Sequence, residues 1–235
     1  MYSFDSRIRY SEVDFHKNLT LTGIVNYFQD CSTFQSEDLG LGIDALVQMQ
    51  RAWLLNSWQI IVNRTPAFGE KITISTWPYD FKGFYGYRNF ILKDEQDEVC
   101  AVANSIWVHI DTTTGRPARA LPEIIKAYPN EPRYPMEYAD RKVPIPDTLV
   151  AHPPFSVVSA NIDTNNHVNN GQYVLMAEQY LPEGFEVKEF RVEYRKAARF
   201  GDIIYPKVSI QDKLCTIVLA DQEDTIFAAL MFISK

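Results

Sequence analysis

The stretch ANIDTNNHVNNGQYVLMA, Ala160 to Ala177, echoes an earlier one, SEVDFHKNLTLTGIVNYF, Ser11 to Phe28. In each, an aspartate (Asp163, Asp14) closes a short polar approach, and an apolar stretch of helical spacing follows. That stretch holds Tyr173, Val174, Met176, Ala177 and Tyr180 in one case, and Ile24, Val25, Tyr27 and Phe28 in the other. Two further pairs keep the same order downstream. Phe68-Gly69-Glu70-Lys71-Ile72 is answered by Phe200-Gly201-Asp202-Ile203-Ile204, and DEQDEVCA from Asp94 by DQEDTIFA from Asp221. Three ordered pairs describe a duplication, and a repeated unit constrains the fold more than any single motif.

Each copy reads as one helix followed by strands. Lys71–Thr76, Tyr87–Leu92 and Val99–Val108 fit strands in the first copy. Phe190–Arg195, Ile203–Ile210, Cys215–Ala220 and Thr225–Ile233 do so in the second, with hairpin turns at Asp94–Glu98 and Asp221–Asp224. Helix followed by consecutive strands, without βαβ alternation, is α+β organisation. Nine of the thirteen prolines fall between Pro117 and Pro154. Such density opposes helix interiors and central strands, so the spacing divides the chain into 1–116, a proline-rich linker 117–154, and 155–235. Asp14 to Gly69 spans 55 residues and Asp163 to Gly201 spans 38. The 17 surplus residues belong around Glu37–Asn56, where an apolar insertion would either add core or cover a hydrophobic substrate.

Composition narrows the function classes. The 235 residues are 46% hydrophobic and 23% charged, as in a globular chain with a core. A net charge of -7 argues against nucleic acid as a general partner, because phosphate binding needs a basic face. The scattered Cys31, Cys100 and Cys215 form no CxxC pair and suit reduced core thiols. The start of the chain lacks the apolar core of a signal peptide, and the run Ile226–Ile233 is too short to span a bilayer. A cytoplasmic protein without membrane contact is the expectation. Metal-ligand spacings, Walker loops, GxGxxG and GxSxG are all lacking, so no metal and no cofactor are expected.

The segment Asn161–Asn170 gathers an acid, an imidazole and several amides just ahead of a helix. A plain polar turn with a capping asparagine would explain it. The chemical alternative is acyl transfer: a carboxylate beside histidine can manage both charge and proton, and a helix N-terminus can polarise a carbonyl. The first copy keeps the aspartate and loses the Asn-x-His order.

DTNNHVNNGQY resembles the D-x-N-x-H-V-N-N-x-x-Y signature of the plant and bacterial acyl-acyl-carrier-protein thioesterases. Trp58-Gln-Ile, Arg64-Thr-Pro66, Gly69-Glu70, Thr76-Trp77-Pro78, Tyr87-Arg88-Asn-Phe90, Ser105-Ile-Trp107-Val108, Asp111 and Arg116-Pro117 follow that family's order, so the likeness covers about Arg9 to Asp202. The resemblance implies two fused hotdog repeats, each a long helix wrapped by a curved antiparallel sheet. It implies hydrolysis of fatty acyl-carrier thioesters in fatty acid biosynthesis, with acyl carrier protein as partner. It places the catalytic residues at Asp163, Asn165 and His167. Asp163 would be the anionic centre, as nucleophile or as base toward water; Asn165 would orient it or the carbonyl, and His167 would hand a proton to the departing thiol. The carboxylate is expected to face an apolar acyl tunnel. One departure matters. Many relatives carry glutamate after Tyr-Arg-Lys/Arg, and plant members cysteine beside it, whereas Tyr194-Arg195-Lys196 precedes Ala197 and Ala198.

Trp53 and Trp58 are candidates for the acyl pocket, since all four tryptophans fall in the first copy. The acidic carrier would meet local cations, with Arg195, Lys196 and Arg199 as one cluster and Arg116 and Arg119 as another. His109 and His152 lack acid partners in sequence and read as structural, while His16, aligned with Asn165, would be a relic. The rivals are an acyl-CoA thioesterase and a non-catalytic acyl-thioester binding protein. Two copies can act as an internal dimer, leaving a monomer or a homodimer.

Overall fold

The computed structural model describes all residues, Met1–Lys235. The chain forms two compact units: Met1–Asn56 with Val62–Ala139, and Ser57–Ile61 with Asp140–Lys235. Both are α+β, with antiparallel strands and few helices. No helix is long and apolar enough to cross a membrane.

The first unit contains β1 (Tyr2–Arg7), α1 (Leu21–Asp38), α2 (Ile43–Gln48), most of β2 (Arg51–Val62), β3 (Lys71–Lys82), β4 (Tyr85–Asp94), β5 (Val99–Asp111), the short β6 (Arg116–Pro117) and α3 (Pro122–Ala127). Its strand order is β1-β3-β4-β5-β2, with β6 paired to β5. Thr20 starts α1 by accepting the Gly23 N–H on its hydroxyl at 3.0 Å. Leu21, Ile24, Val25, Phe28 and Cys31 then recur at helical spacing and are buried. A Cβ at Gly23 would lie 2.6 Å from Leu19 Cδ1, so a larger residue there would displace that buried side chain. α1 lies against β1 and β3, and the Cys31 thiol donates to the Ile74 carbonyl oxygen. Under it, Arg88 is buried with its guanidinium on Gln35 and Thr76 and over the Tyr128 ring, and burial lowers its pKa to about 10, still cationic at neutral pH.

The second unit holds β7 (Val150–Ala151), β8 (Phe155–Ser156), α4 (Asn170–Glu178), β9 (Val187–Tyr194), β10 (Ile203–Gln211), β11 (Leu214–Ala220) and β12 (Ile226–Ser234). Its strand order is β9-β12-β11-β10-β7, β8 also pairs with β10, and Ser57–Ile61 of β2 pairs with β9. α4 stops at Glu178, before Tyr180, which the apolar spacing had included; it has 9 residues against 18 in α1.

The surplus of the first copy is thus a doubled helix plus α2. Part of it adds core, since Leu41 is buried with Ile124 and Tyr128, and Leu46 and Trp53 pack on them, while Ile43, Val47 and Leu54 stay exposed. The proline-rich stretch 117–154 is also more ordered than its composition suggests. Pro122 begins α3, where a missing N–H costs nothing.

The two units repeat each other bond for bond around the matched aspartates. Asp14 N–H donates to the Asn18 carbonyl at 2.8 Å, and Asp163 N–H to that of His167 at 2.8 Å. Thr20 N–H reaches Glu12, and Asn169 N–H reaches Asn161. Gly69 (φ 87°) and Gly201 (φ 86°) turn identically, donating to Ile8 and Val157. A left-handed turn suits glycine, which explains why this pair survived in both copies.

Candidate active site

The segment Asp163–His167 is a tight loop closed by a bridge between Ile162 and Val168. Asn166 turns it with φ 61°, a conformation asparagine tolerates. Asp163 Oδ1 holds the loop from inside, accepting the N–H of Asn165 at 2.8 Å and of His167 at 3.3 Å. That leaves Oδ2, approached only by the Asn165 amide at 3.5 Å. Asn169 caps α4 by accepting the Gly171 N–H at 2.9 Å. The loop therefore ends at the positive end of a helix dipole.

Asp163 and His167 are half-buried and Asn165 is exposed, so the carboxylate is less enclosed than a tunnel-facing acid would be. The His167 ring is held by no hydrogen bond within the chain, and it meets Asp163 only through its backbone N–H. The loop brings all three candidates together without locking the imidazole.

The matched first-copy loop shows what is structure and what is left over. Asp14 Oδ1 likewise accepts two backbone N–H groups, from His16 and Asn18, both at 2.9 Å. Lys17 takes the left-handed position with φ 69°. One aspartate oxygen in each copy is therefore a structural fixture. His16 and Asn18 stand in reversed order relative to Asn165 and His167, and the His16 ring lies tilted against Phe15 at 3.8 Å.

The copies differ most in what lies beside the loop. In the first, Leu19 N–H donates to the carbonyl of Pro66, and the helix presents Ile24. In the second, Val168 N–H donates to the carbonyl of Ala198, and Tyr173, one turn into α4, accepts the Ala198 N–H on its hydroxyl. Tyr173 is 2% exposed and edge-on to Tyr194 at 5.7 Å. Burial pushes its phenol up to about 12, an effect opposed by the Ala198 N–H and reinforced by the Asp202 and Asp163 carboxylates. It stays protonated, a hydroxyl within the field of Asp163. In the sequence Tyr173 is only one apolar residue of the helix; its position four residues past the cap, on the inward face, is the signal that sets it beside the loop.

Ala197 is exposed and Ala198 is buried, so neither a carboxylate nor a thiol stands there. The buried acid of this strand is Glu193, 4% exposed, which accepts the Val143 N–H at 3.1 Å and pairs with Arg195 at 2.9 Å. Arg195 is thereby engaged, and Lys196 pairs with Asp221 at 3.2 Å. Arg199 is exposed without an ion pair. Arg116 and Arg119 are exposed as well.

Trp58 is 2% exposed on β2, opposite Val192 of β9. Trp53 belongs to the first unit's aromatic cluster, 6.0 Å from Phe81 and 4.8 Å from His109. His109 is fully buried: Nδ1 bonds the Ala118 carbonyl at 3.0 Å, and Nε2 has no partner. His152 stands edge-on to Tyr180 at 4.9 Å.

Comparison with known proteins places these features. Residues 1–128 match the family model of the acyl-ACP thioesterase N-terminal domain, and residues 148–229 that of the C-terminal domain. Oleoyl-acyl carrier protein thioesterase 2 of Arabidopsis thaliana, a chloroplast protein, is 26% identical over 219 residues, covering 84% of this chain and 59% of its own length. The chain spans between half and three-fifths of the curated relatives it matches. An acyl-ACP thioesterase of Bacteroides thetaiotaomicron superposes with a TM-score of 0.90 at 22% identity, covering 99% of this chain and 97% of the other. A 12:0-ACP thioesterase of Umbellularia californica superposes with a TM-score of 0.80 at 17% identity, over 99% and 97%. These likenesses extend over the whole chain.

Proposed function

Since the chain belongs to the acyl-ACP thioesterase family, we propose that it hydrolyses fatty-acyl thioesters of acyl carrier protein, giving free fatty acid and carrier thiol. The observation that carries this reading is the loop at Asp163: one carboxylate oxygen fixes the backbone, while the other is left to the Asn165 amide, with His167 on the same loop and the Tyr173 hydroxyl on the adjoining Ala198 N–H. The first copy builds the same turn with Ile24 in place of that hydroxyl. The chain is read as two hotdog repeats, 1–116 and 155–235, with 117–154 joining them.

Asp163 serves as base toward water or as nucleophile. In the first form its Oδ2 takes a proton as the water oxygen adds to the thioester carbon. The oxyanion is stabilised near the α4 N-terminus, and the C–S bond breaks as electrons return. The leaving sulfur receives its proton from His167, and the proton taken by Asp163 then passes to His167, restoring both side chains. Asn165 keeps Oδ2 directed. Arg199 is offered to the acidic carrier.

Purified chain mixed with acyl-carrier substrate should release thiol, and Asp163→Asn should slow that by about 10²-fold or more, the usual contribution of a general base. Near-wild-type turnover in that variant removes Asp163 from the mechanism. The alanines at 197 and 198 favour one rival, a non-catalytic acyl-thioester binder; no thiol release from any acyl thioester would establish it. Comparing kcat/KM for one acyl group on both carriers separates carrier protein from CoA.

A further inference from the structure

Within the first unit, residues 129–139 form a strap tied to β3 and β4. Trp77 Nε1–H donates to the Pro132 carbonyl at 2.9 Å, and Asn89 Oδ1 accepts both the Tyr134 N–H at 3.0 Å and the Tyr138 hydroxyl at 2.9 Å. Arg88 reaches α1, so its neighbours Tyr87 and Asn89 point to the opposite sheet face. There the strap roofs a cavity of about 330 Å³. That is the lower end of small-molecule sites, about 300–1,000 Å³.

The polar groups lining it are unbalanced. Its two carboxylates are both engaged, Asp80 with Lys82 at 2.9 Å and Glu131 with the Met1 ammonium. Arg133 has no carboxylate; its guanidinium lies over the Tyr138 ring at 3.6 Å and the Tyr79 ring at 5.6 Å. Asn104 is 5% exposed, and its Oδ1 accepts the Tyr79 hydroxyl at 2.9 Å, which leaves its NH₂ without an acceptor. Tyr87 also lines the cavity, and its hydroxyl makes no hydrogen bond in the chain. A guanidinium, an amide NH₂ and a phenol are thus offered together, beside the apolar surfaces of Ile106 and the tyrosine rings. Donors without acceptors select an oxyanion.

The geometry points to a second binding site, under the strap, for an amphiphilic carboxylate. The carboxylate sits on Arg133 and the Asn104 amide, and the apolar body lies along Ile106 and Tyr79. The choice of a fatty carboxylate as the physiological anion rests on the thioesterase reading, because that reaction releases one; the donor set itself does not depend on it.

Calorimetric titration of the full chain with sodium decanoate, and with decan-1-ol as the uncharged control, tests this. Decanoate should bind and decanol should bind more weakly. Arg133→Gln, a change on the exposed strap, should weaken decanoate about tenfold or more, the loss expected for a charge-assisted hydrogen bond. Tyr87→Phe, which keeps the ring, should weaken it too. Unchanged decanoate affinity in both variants, decanol binding equal to decanoate, or no binding by the wild type overturns the site. Decanoate bound through Arg133 by a chain that releases no thiol keeps this pocket and discards the enzymatic reading. Thiol release without decanoate binding does the reverse.

Discussion

The backbone N–H of Ala198 donates to the Tyr173 hydroxyl at 2.9 Å, fastening the segment that follows β9 to the helix that follows the Asp163 loop. The Ala198 carbonyl accepts from Val168 on the same loop, so one alanine is clamped on both sides. Tyr173→Phe removes the hydroxyl and leaves a buried N–H unpaired, at a cost of about 1–3 kcal/mol. Urea unfolding should show that loss, and kcat should fall with it because the hydroxyl near Asp163 is gone. A variant destabilised to that extent with an unaltered kcat and pH profile would make Tyr173 purely structural.

Asp14 and Asp163 hold equivalent turns, so the two substitutions to asparagine should diverge in activity and agree in stability. Each replaces an anionic acceptor of two backbone N–H groups, worth about 1–2 kcal/mol together. Thermal melts should register similar losses. Thiol release should collapse for Asp163→Asn alone; equal loss for Asp14→Asn would mean that loop stability governs the rate.

Charge reversal at the two arginines after β9 should separate docking from folding. Arg195→Glu sets a second carboxylate beside the buried Glu193, and urea midpoints should fall by an amount worth about 1.5 kcal/mol, the low end for a partly solvated partner. Arg199→Glu touches no ion pair and should leave the midpoint alone. It should raise KM for carrier-bound substrate more than for the same acyl group on a short pantetheine thioester. Equal KM changes on both substrates would remove Arg199 from docking.

His109 makes stability depend on pH. Burial depresses its pKa below 6.5, Arg51 adds to that, and the Ala118 carbonyl opposes it. The native state therefore holds the ring neutral, while the unfolded chain takes up a proton below about 6.5. The contribution is complete above that value and is lost progressively as pH falls toward the folded pKa. His109→Gln should flatten the acid side of a stability–pH curve below 6.5; an identical slope in wild type and variant would exclude His109 as the source.

Burial raises the thiols of Cys31 to about 12 and of Cys100 and Cys215 to about 11. All three are buried and unpaired. Native protein at pH 8 should resist iodoacetamide, since the thiolate is the nucleophile, and should release three reactive thiols in denaturant. Fast labelling of any one under native conditions would show local opening at that strand or helix.

The duplication was legible because it rests on residues with no substitute. Gly69 and Gly201 take the same left-handed turn, and Asp14 and Asp163 each satisfy two backbone donors, so both pairs persisted while the rest diverged. Strands of strict alternation, such as Lys71–Thr76, were legible for the same local reason, though β3 runs on to Lys82. Helix α4 was overread at Tyr180, because apolar spacing continues past Glu178 while the chain turns. The candidate site was legible as far as one loop carries it: Asp163, Asn165 and His167 are contiguous.

What lay beyond reach depends on distance along the chain. Tyr173 and Ala198 meet across 25 residues, Glu193 and Val143 across 50, and the cavity under the strap joins Arg133 to Tyr79 and Asn104. No local pattern encodes such pairs, since each arises only when packing selects which polar groups share a buried space. By itself the sequence determined the repeat, the α+β class and the loop that bears the acid, all written in short-range turn chemistry and periodicity. The tertiary structure alone decided that Arg195 is tied to Glu193, that Asp163 has one oxygen committed to backbone and one left, and that the Tyr173 phenol takes the Ala198 N–H.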